Sequence, residues 1–465
     1  MRTRLLIILF FCSISVQAQE MWGISNSNFA GNMGIFINPS SIVGAPYRNE
    51  INFLAGDFYA ENSYVYFPAS TRIIPRALFG TVPPGKLYKF DNSLSRQKGF
   101  AHAFIIGPSY IANRESYAWG IHTALRSELS ILQAPNELSY VFYNKFITPE
   151  FYGVRSSTGK FNSVQATWIE IGGTYGSVIK DNPDKYLKWA GTLNGLIGMN
   201  GYYLDVNNMD YTILDSANYI FHSFDGTFAH AFNPSNKNNV LALRGFGAST
   251  TVGLTFIRKR NTGAYDCTYQ NDRQIKYKYR LGISLLDLGF IRMSKDAKIT
   301  TVQTNTDRLW SGIDTTVASS FVGLDSLLLS NIGGNTRNES FSIWTPTALS
   351  VQFDYQIKPN VFANASVVQR LHFKNNQIAR PNQINLSGRY ERRAYEFNLN
   401  FSVWELRQPS LGIAARFHWF VIGTDRILQL FSLSDLRSFD FFFGFKYQFC
   451  SSPFGSRKKD CPAYD

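Results

Sequence analysis

Residues 439–449 read Phe-Asp-Phe-Phe-Phe-Gly-Phe-Lys-Tyr-Gln-Phe. On an extended strand successive side chains point to opposite faces. Phe439, Phe441, Phe443, Phe445, Tyr447 and Phe449 therefore share one face, and Asp440, Gly444, Lys446 and Gln448 share the other. So many aromatics on one face of a soluble sheet would need a second layer over them, whereas a closed barrel in a bilayer turns such a face to lipid.

The same alternation recurs upstream. Tyr117, Trp119, Ile121 and Leu125 alternate with His122 and Arg126; Tyr277, Tyr279, Leu281, Ile283 and Leu285 with Lys278, Arg280, Gly282 and Ser284. Phe353 and Tyr355 flank Asp354, Tyr390 flanks Arg389, and Phe397 and Leu399 flank Glu396 and Asn398. The run from Leu411 to Val421 carries Arg416 and His418 on its polar face. Aromatics make up 15% of the chain and charged residues only 17%, the average expected of an apolar exterior around a polar lumen. The expected fold is all-β: a transmembrane antiparallel barrel of roughly 12 to 16 strands, about 14 being the preferred count.

The ends fit export. Arg2 and Arg4 precede an apolar core, Leu5 to Cys12, and a small-residue site at Val16-Gln17-Ala18. Residues 1–18 read as a signal peptide cleaved before Gln19. No later run reaches the roughly 20 apolar residues that a spanning helix needs, so a membrane form must be a closed barrel. The expected organisation is then a Gly- and Asn-rich N-terminal segment at 19–48, a barrel at 49–449 and a periplasmic tail at 450–465. The stretches Asp205 to Asn239 and Asp296 to Arg337 read as long polar loops. Cys450 and Cys461 bracket the tail and could close a disulfide in an oxidising compartment or remain free thiols.

Motif by motif, catalytic readings fall away. Gly80 to Lys86 has phosphate-loop spacing up to its lysine, but Leu87 stands where magnesium chemistry needs Ser or Thr, and Pro83 and Pro84 remove amide donors. Ser95-Arg96-Gln97-Lys98 lacks any partner motif. The six histidines show no metal-ligand spacing, and nothing selects one serine as a nucleophile for His122 or His418. The chain therefore reads as no enzyme, with no catalytic residue, cofactor or metal. The net charge of +13 is spread along the chain rather than gathered in a tract, which argues against a nucleic-acid partner and leaves anionic lipid and lipopolysaccharide. The chemistry-bearing set is the inward charges: His122, Arg126, Lys278, Arg280, Asp354, Arg389, Glu396, Arg416, His418, Asp440 and Lys446. They either bridge one another or line a selective pathway.

Three stretches carry a resemblance. Gly31 to Ile42, Leu285 to Arg292, and Ile422 to Leu428 with the aromatic final strand are similar to motifs of an uncharacterised outer-membrane barrel family of Bacteroidota, a domain of unknown function. More distantly, Asn38-Pro39-Ser40 resembles the Asn-Pro-Ala of the long-chain fatty-acid transporter superfamily, with Ser40 in place of Ala. That resemblance implies an N-terminal hatch around Asn38, Pro39 and Ser40 inside a barrel of about fourteen strands, and passage of a hydrophobic or amphipathic small molecule across the bacterial outer membrane. The superfamily also includes a barrel that serves protein secretion. A non-transporting barrel that anchors or shuttles a periplasmic or surface protein is therefore the alternative.

Overall fold

The computed structural model describes residues 20–81, 85–114, 116–232, 242–260, 277–316 and 324–449. The expected signal peptide and its cleavage site, the tail, Cys450 and Cys461 lie outside the described residues.

Fourteen antiparallel staves form one closed wall. In chain order they are β1 (Asn49–Asn62), β2 (Arg96–Ile106, continued by Ser109–Asn113), β3 (Tyr117–Pro135), β4 (Phe161–Asp181), β5 (Lys185–Ile213), β6 (Gly245–Lys259) and β7 (Tyr277–Met293). Then follow β8 (Ala348–Lys358), β9 (Val361–Arg370), β10 (Gln383–Glu391), β11 (Tyr395–Trp404), β12 (Gln408–Phe417), β13 (Phe420–Thr424) and β14 (Ser438–Phe449). Each pairs with its neighbour in sequence, and β14 returns to β1 from Asn49↔Phe449 to Glu61↔Ser438. The aromatic ladder is thus the closing stave.

Alternation sorts the two faces as the sequence dictates. Leu193, Phe246, Ile121 and Leu399 are 68%, 65%, 58% and 59% exposed, whereas the inward Arg389, Arg416 and Lys446 are buried. A bulge between Asn52 and Leu54 lets Phe53 and Leu54 both face out without breaking the pairing of β1. Around one end runs an aromatic girdle of cross-strand contacts, including Tyr117–Tyr175, Tyr175–Trp189, Tyr279–Phe353 and Trp419–Phe445. Both ends of the barrel sequence and the tight turns 182–184, 359–360 and 418–419 meet at this end, the rim that the usual asymmetry of such barrels would turn to the periplasm.

Two expectations change here. The stretches read as polar loops are partly sheet: the far part of β5, Tyr202 to Ile213, leaves β6 and pairs with a strand at Asn218–Ala231, which in turn pairs with Ala297–Thr304 and Arg308–Ser311. This outer layer buries its own apolar core around Tyr211, Phe221, Phe228, Trp310 and Leu328. Its strands look irregular in sequence because no face of theirs meets lipid. The run Leu411 to Val421 is also two staves, with a tight turn at His418 and Trp419 between them.

Placing a guanidinium on the belt should be costly. Leu193→Arg is expected to destabilise the barrel by about 2–4 kcal/mol, checked by urea unfolding in lipid vesicles; an unchanged midpoint would contradict the assignment of that face to lipid.

Candidate functional site: a filled lumen

The segment ahead of β1 has too many glycines and asparagines for a long helix, and it folds as three single turns, Trp22–Ser25, Asn32–Ile35 and Pro39–Ile42. Turns this short are not stable alone. They are held because the segment lies against the inner wall, where nearly all its residues are buried. One side of it is apolar: Met21, Ile24, Met33 and Phe36 cover an inner-wall stripe of Ala55, Phe104, Ala124, Ala414, Val421 and Phe442. That stripe crosses β12–β14 and β1–β3.

The other side is polar. Asn26 Nδ2 donates to Ser366 Oγ at 3.0 Å, Ser27 Oγ to Glu396 Oε2 at 2.7 Å and Asn28 Nδ2 to Glu391 Oε1 at 2.8 Å. Asn38 Nδ2 donates to Gln352 Oε1 at 2.9 Å, while Asn38 Oδ1 accepts from the Ser40 amide at 3.0 Å and the Ser40 hydroxyl at 2.7 Å. Ser40 Oγ also lies 2.6 Å from Thr255 Oγ1. Pro39 opens this turn, where a missing N–H costs nothing. The wall admits Asn38 only because β6 is bare at Gly253: a Cβ there would sit 2.1 Å from Asn38 Oδ1.

Among the described residues three ionic clusters line the wall, beside a Lys446–Glu50 pair at 3.8 Å. In the first, Arg126 donates to Glu128, to Glu170 at 3.4 Å and to Asp287 at 3.0 Å, with its guanidinium 5.1 Å from the Phe104 ring and 5.2 Å from the Trp168 ring. His122 meets Glu170 at 3.1 Å, and Arg380 bridges Asp287 at 2.7 Å to Glu20 at 3.2 Å. In the second, Arg389 grips Asp354 with two parallel bonds of 2.7 and 2.9 Å and reaches Glu391 at 2.9 Å. Arg280 joins Asp354 at 3.1 Å, and Arg416 meets Glu396 at 3.3 Å under the Phe29 ring. In the third, Arg426 meets Glu61 at 3.0 Å over Trp404, and Asp425 accepts from Asn400 at 2.8 Å and from the Trp22 amide at 3.3 Å.

The structure thus brings Arg280, Asp354, Arg389 and Arg416 together with the N-terminal segment, and puts His122 and Arg126 in a separate cluster. His418 is a correction. It is an exposed residue of the turn between β12 and β13, at φ 50°, and not in the lumen. Lys278 is also outside: a register shift at Arg258/Lys259 beside the start of β7 brings Tyr277 inward and leaves Lys278 exposed. Lys188, Glu170 and Arg380 were missed, and Asp287 and Arg426 stood out only within motifs, not as inward charges. The period-two phase would have found the first two, since Trp168, Glu170 and Thr174 share a face, as do Tyr186, Lys188 and Thr192.

The motifs singled out in the sequence fall at these joints. Gly31, at φ +62°, has no room for a Cβ beside Glu50, which accepts from the Asn32 amide at 2.7 Å. Asp287 holds Arg126 and Arg380, and Asp425-Arg426 receives Trp22 and Glu61. A family of unknown function (DUF5723) matches residues 92–425. The chain belongs to this family. No curated protein sequence matches it.

Among solved structures, this family member is similar to a TodX monoaromatic hydrocarbon channel mutant at 10% identity, over 90% of this chain and 95% of that one, with a TM-score of 0.44. It is also similar to the Ralstonia pickettii toluene transporter TbuX, at 10% identity over 94% and 100% of the chains with a TM-score of 0.41. A Pseudomonas aeruginosa FadL homologue gives 9% identity over 93% and 98% with a TM-score of 0.25. At such scores the fold rests on the chain's own closed strand order. A closed wall with an apolar belt and a polar interior places the protein in the bacterial outer membrane.

Removing one partner of a buried pair leaves a stranded charge. Asp354→Ala should therefore cost about 3–5 kcal/mol, while Asp354→Ala with Arg389→Met should recover part of that loss; urea titration of both in vesicles checks this, and an additive double variant would contradict it.

Proposed function

We propose that the chain is a gated passive transporter of a hydrophobic or amphipathic small molecule, with residues 19–48 as the gate. The observation that carries this reading is the two-sided seat of that segment. Its apolar side covers an apolar stripe on β12–β14 and β1–β3, and its polar side bonds to β6–β11. Moved aside, it would leave an amphipathic track, apolar along one flank and charged along the other. Such a track matches a solute with a hydrocarbon body and a polar end. Asn38, Pro39 and Ser40 would hold the gate shut against β6 and β8, and Arg389, Arg416, Arg280, Asp354, His122 and Arg126 would line the polar flank. The belt would contact phospholipid and lipopolysaccharide, and a source in Bacteroidota, which the sequence resemblance implies, belongs to the same proposal.

The seated segment lies within the barrel against its inner wall, with nearly all its residues buried. The cavity beside it is only ≈ 30 Å³, and a larger recess of ≈ 490 Å³, bordered by Phe353, Tyr355, Leu399 and Phe401, opens on the outer face. Conduction therefore requires displacement of the segment. The same closure, with the separate outer layer, its exposed Leu309, and the exposed Phe142 and Ile147 on the connection between β3 and β4, is what a barrel that anchors or shuttles a partner protein would also show.

A lock separates the two. Ser40→Cys with Thr255→Cys, in a background without the native cysteines, should close a disulfide across a 2.6 Å contact. Uptake of a hydrophobic solute should fall at least tenfold on oxidation and return on reduction. Equal uptake in both states would contradict the gate, and no uptake of any solute in either state would favour the anchoring role.

A further inference from the structure

Lys188, on the inward face of β5, is 3% exposed, and its ammonium donates to the Val43 carbonyl. Among the described residues no carboxylate lies within ion-pair distance of it. The surrounding charges are already matched: Arg280 and Arg389 face Asp354 and Glu391, and Arg416 faces Glu396. A protonated Lys188 would therefore add one positive charge with no counter-charge in a place where burying an unpaired ion is very costly.

The adjoining cavity supplies what is missing. It is bordered by Lys188, Arg280, Asn26, Ser25, Ser41 and Gln352 and measures ≈ 30 Å³, more than the roughly 10–15 Å³ that one small particle such as a water needs on that measure. Two hydroxyls beside it, Ser25 Oγ and Ser41 Oγ, are buried without a hydrogen-bond partner among the described residues. The unmatched ammonium of Lys188, with the Arg280 guanidinium beside it and two hydroxyls free to donate, gives this cavity a surplus of donors, which suits an anion.

We propose that this cavity binds one monovalent inorganic anion of chloride size between Lys188 and Arg280, under the hydroxyls of Ser25 and Ser41. Because Ser25 and Ser41 belong to the N-terminal segment and Lys188 and Arg280 to the wall, the anion ties one to the other. The site stands whether or not that segment ever moves.

Bromide, which scatters anomalously and substitutes for chloride, is the probe. Crystals of the full barrel grown in sodium bromide should show one anomalous peak at this cavity. In detergent, the melting temperature should be several degrees higher in sodium chloride than in sodium gluconate. Lys188→Met should lose both the peak and the salt difference while remaining folded, since it removes the charge that needs balancing. A folded wild type with no peak there, an equal melting temperature in both salts, or a peak retained in Lys188→Met would each overturn the site. If Lys188→Met does not fold, the wild-type peak and salt comparison decide the matter alone.

Discussion

A strand inside hydrocarbon has no water for its N–H and C=O groups, so every stave needs a partner on both edges. Closing β14 onto β1 satisfies that demand for the whole wall. Everything else in the protein follows from the closure. Once the wall is a ring, each stave has one face toward lipid and one toward the axis, and the period of two fixes which residue goes where. The lipid face tolerates only apolar side chains. The inner face has room for charge, but charge taken from water must be paired again inside.

The N-terminal segment completes that pairing. Glu50, Glu391, Glu396 and Asp425 have partners on the wall, and the segment adds the Asn32 amide, Asn28, Ser27 and the Trp22 amide to them. The same segment sits on the wall's apolar stripe with Met21, Ile24 and Met33. Its hold is thus many modest contacts made by three single turns, with little internal structure to lose on leaving. A net hydrogen bond contributes about 0.5–1.5 kcal/mol, so the sum can be firm while the unit stays separable from the sheet.

The barrel was largely legible because the bilayer imposes a strict pattern. Phe439 to Phe449 and the ladders around Tyr279, Phe353 and Leu399 declare their lipid face residue by residue. Phase failed where the backbone departs from period two: the positive φ at His418 turned an apparent strand residue into an exposed corner, and the shift near Lys259 turned Lys278 outward. Outside the bilayer the pattern lapses, so Asn218 to Ala231 and Ala297 to Thr304 read as loops although both are strands. Several of the charges that pair, such as Asp354, Arg389, Glu396 and Arg416, were legible as inward, but which meets which was not. Arg126 meets Asp287 across 161 residues of sequence, and Trp22 meets Asp425 across 403, distances that only the ring brings together.

The central claim is that the segment is a unit distinct in stability from the wall it fills. Hydrogen exchange of the full barrel in lipid nanodiscs, followed by mass spectrometry, measures this directly. Amides of residues 21–48 should exchange together and well before those of β8–β11, while still slower than an unfolded chain. Exchange of the segment only at the rate of those staves would make it an integral part of the wall and contradict the account.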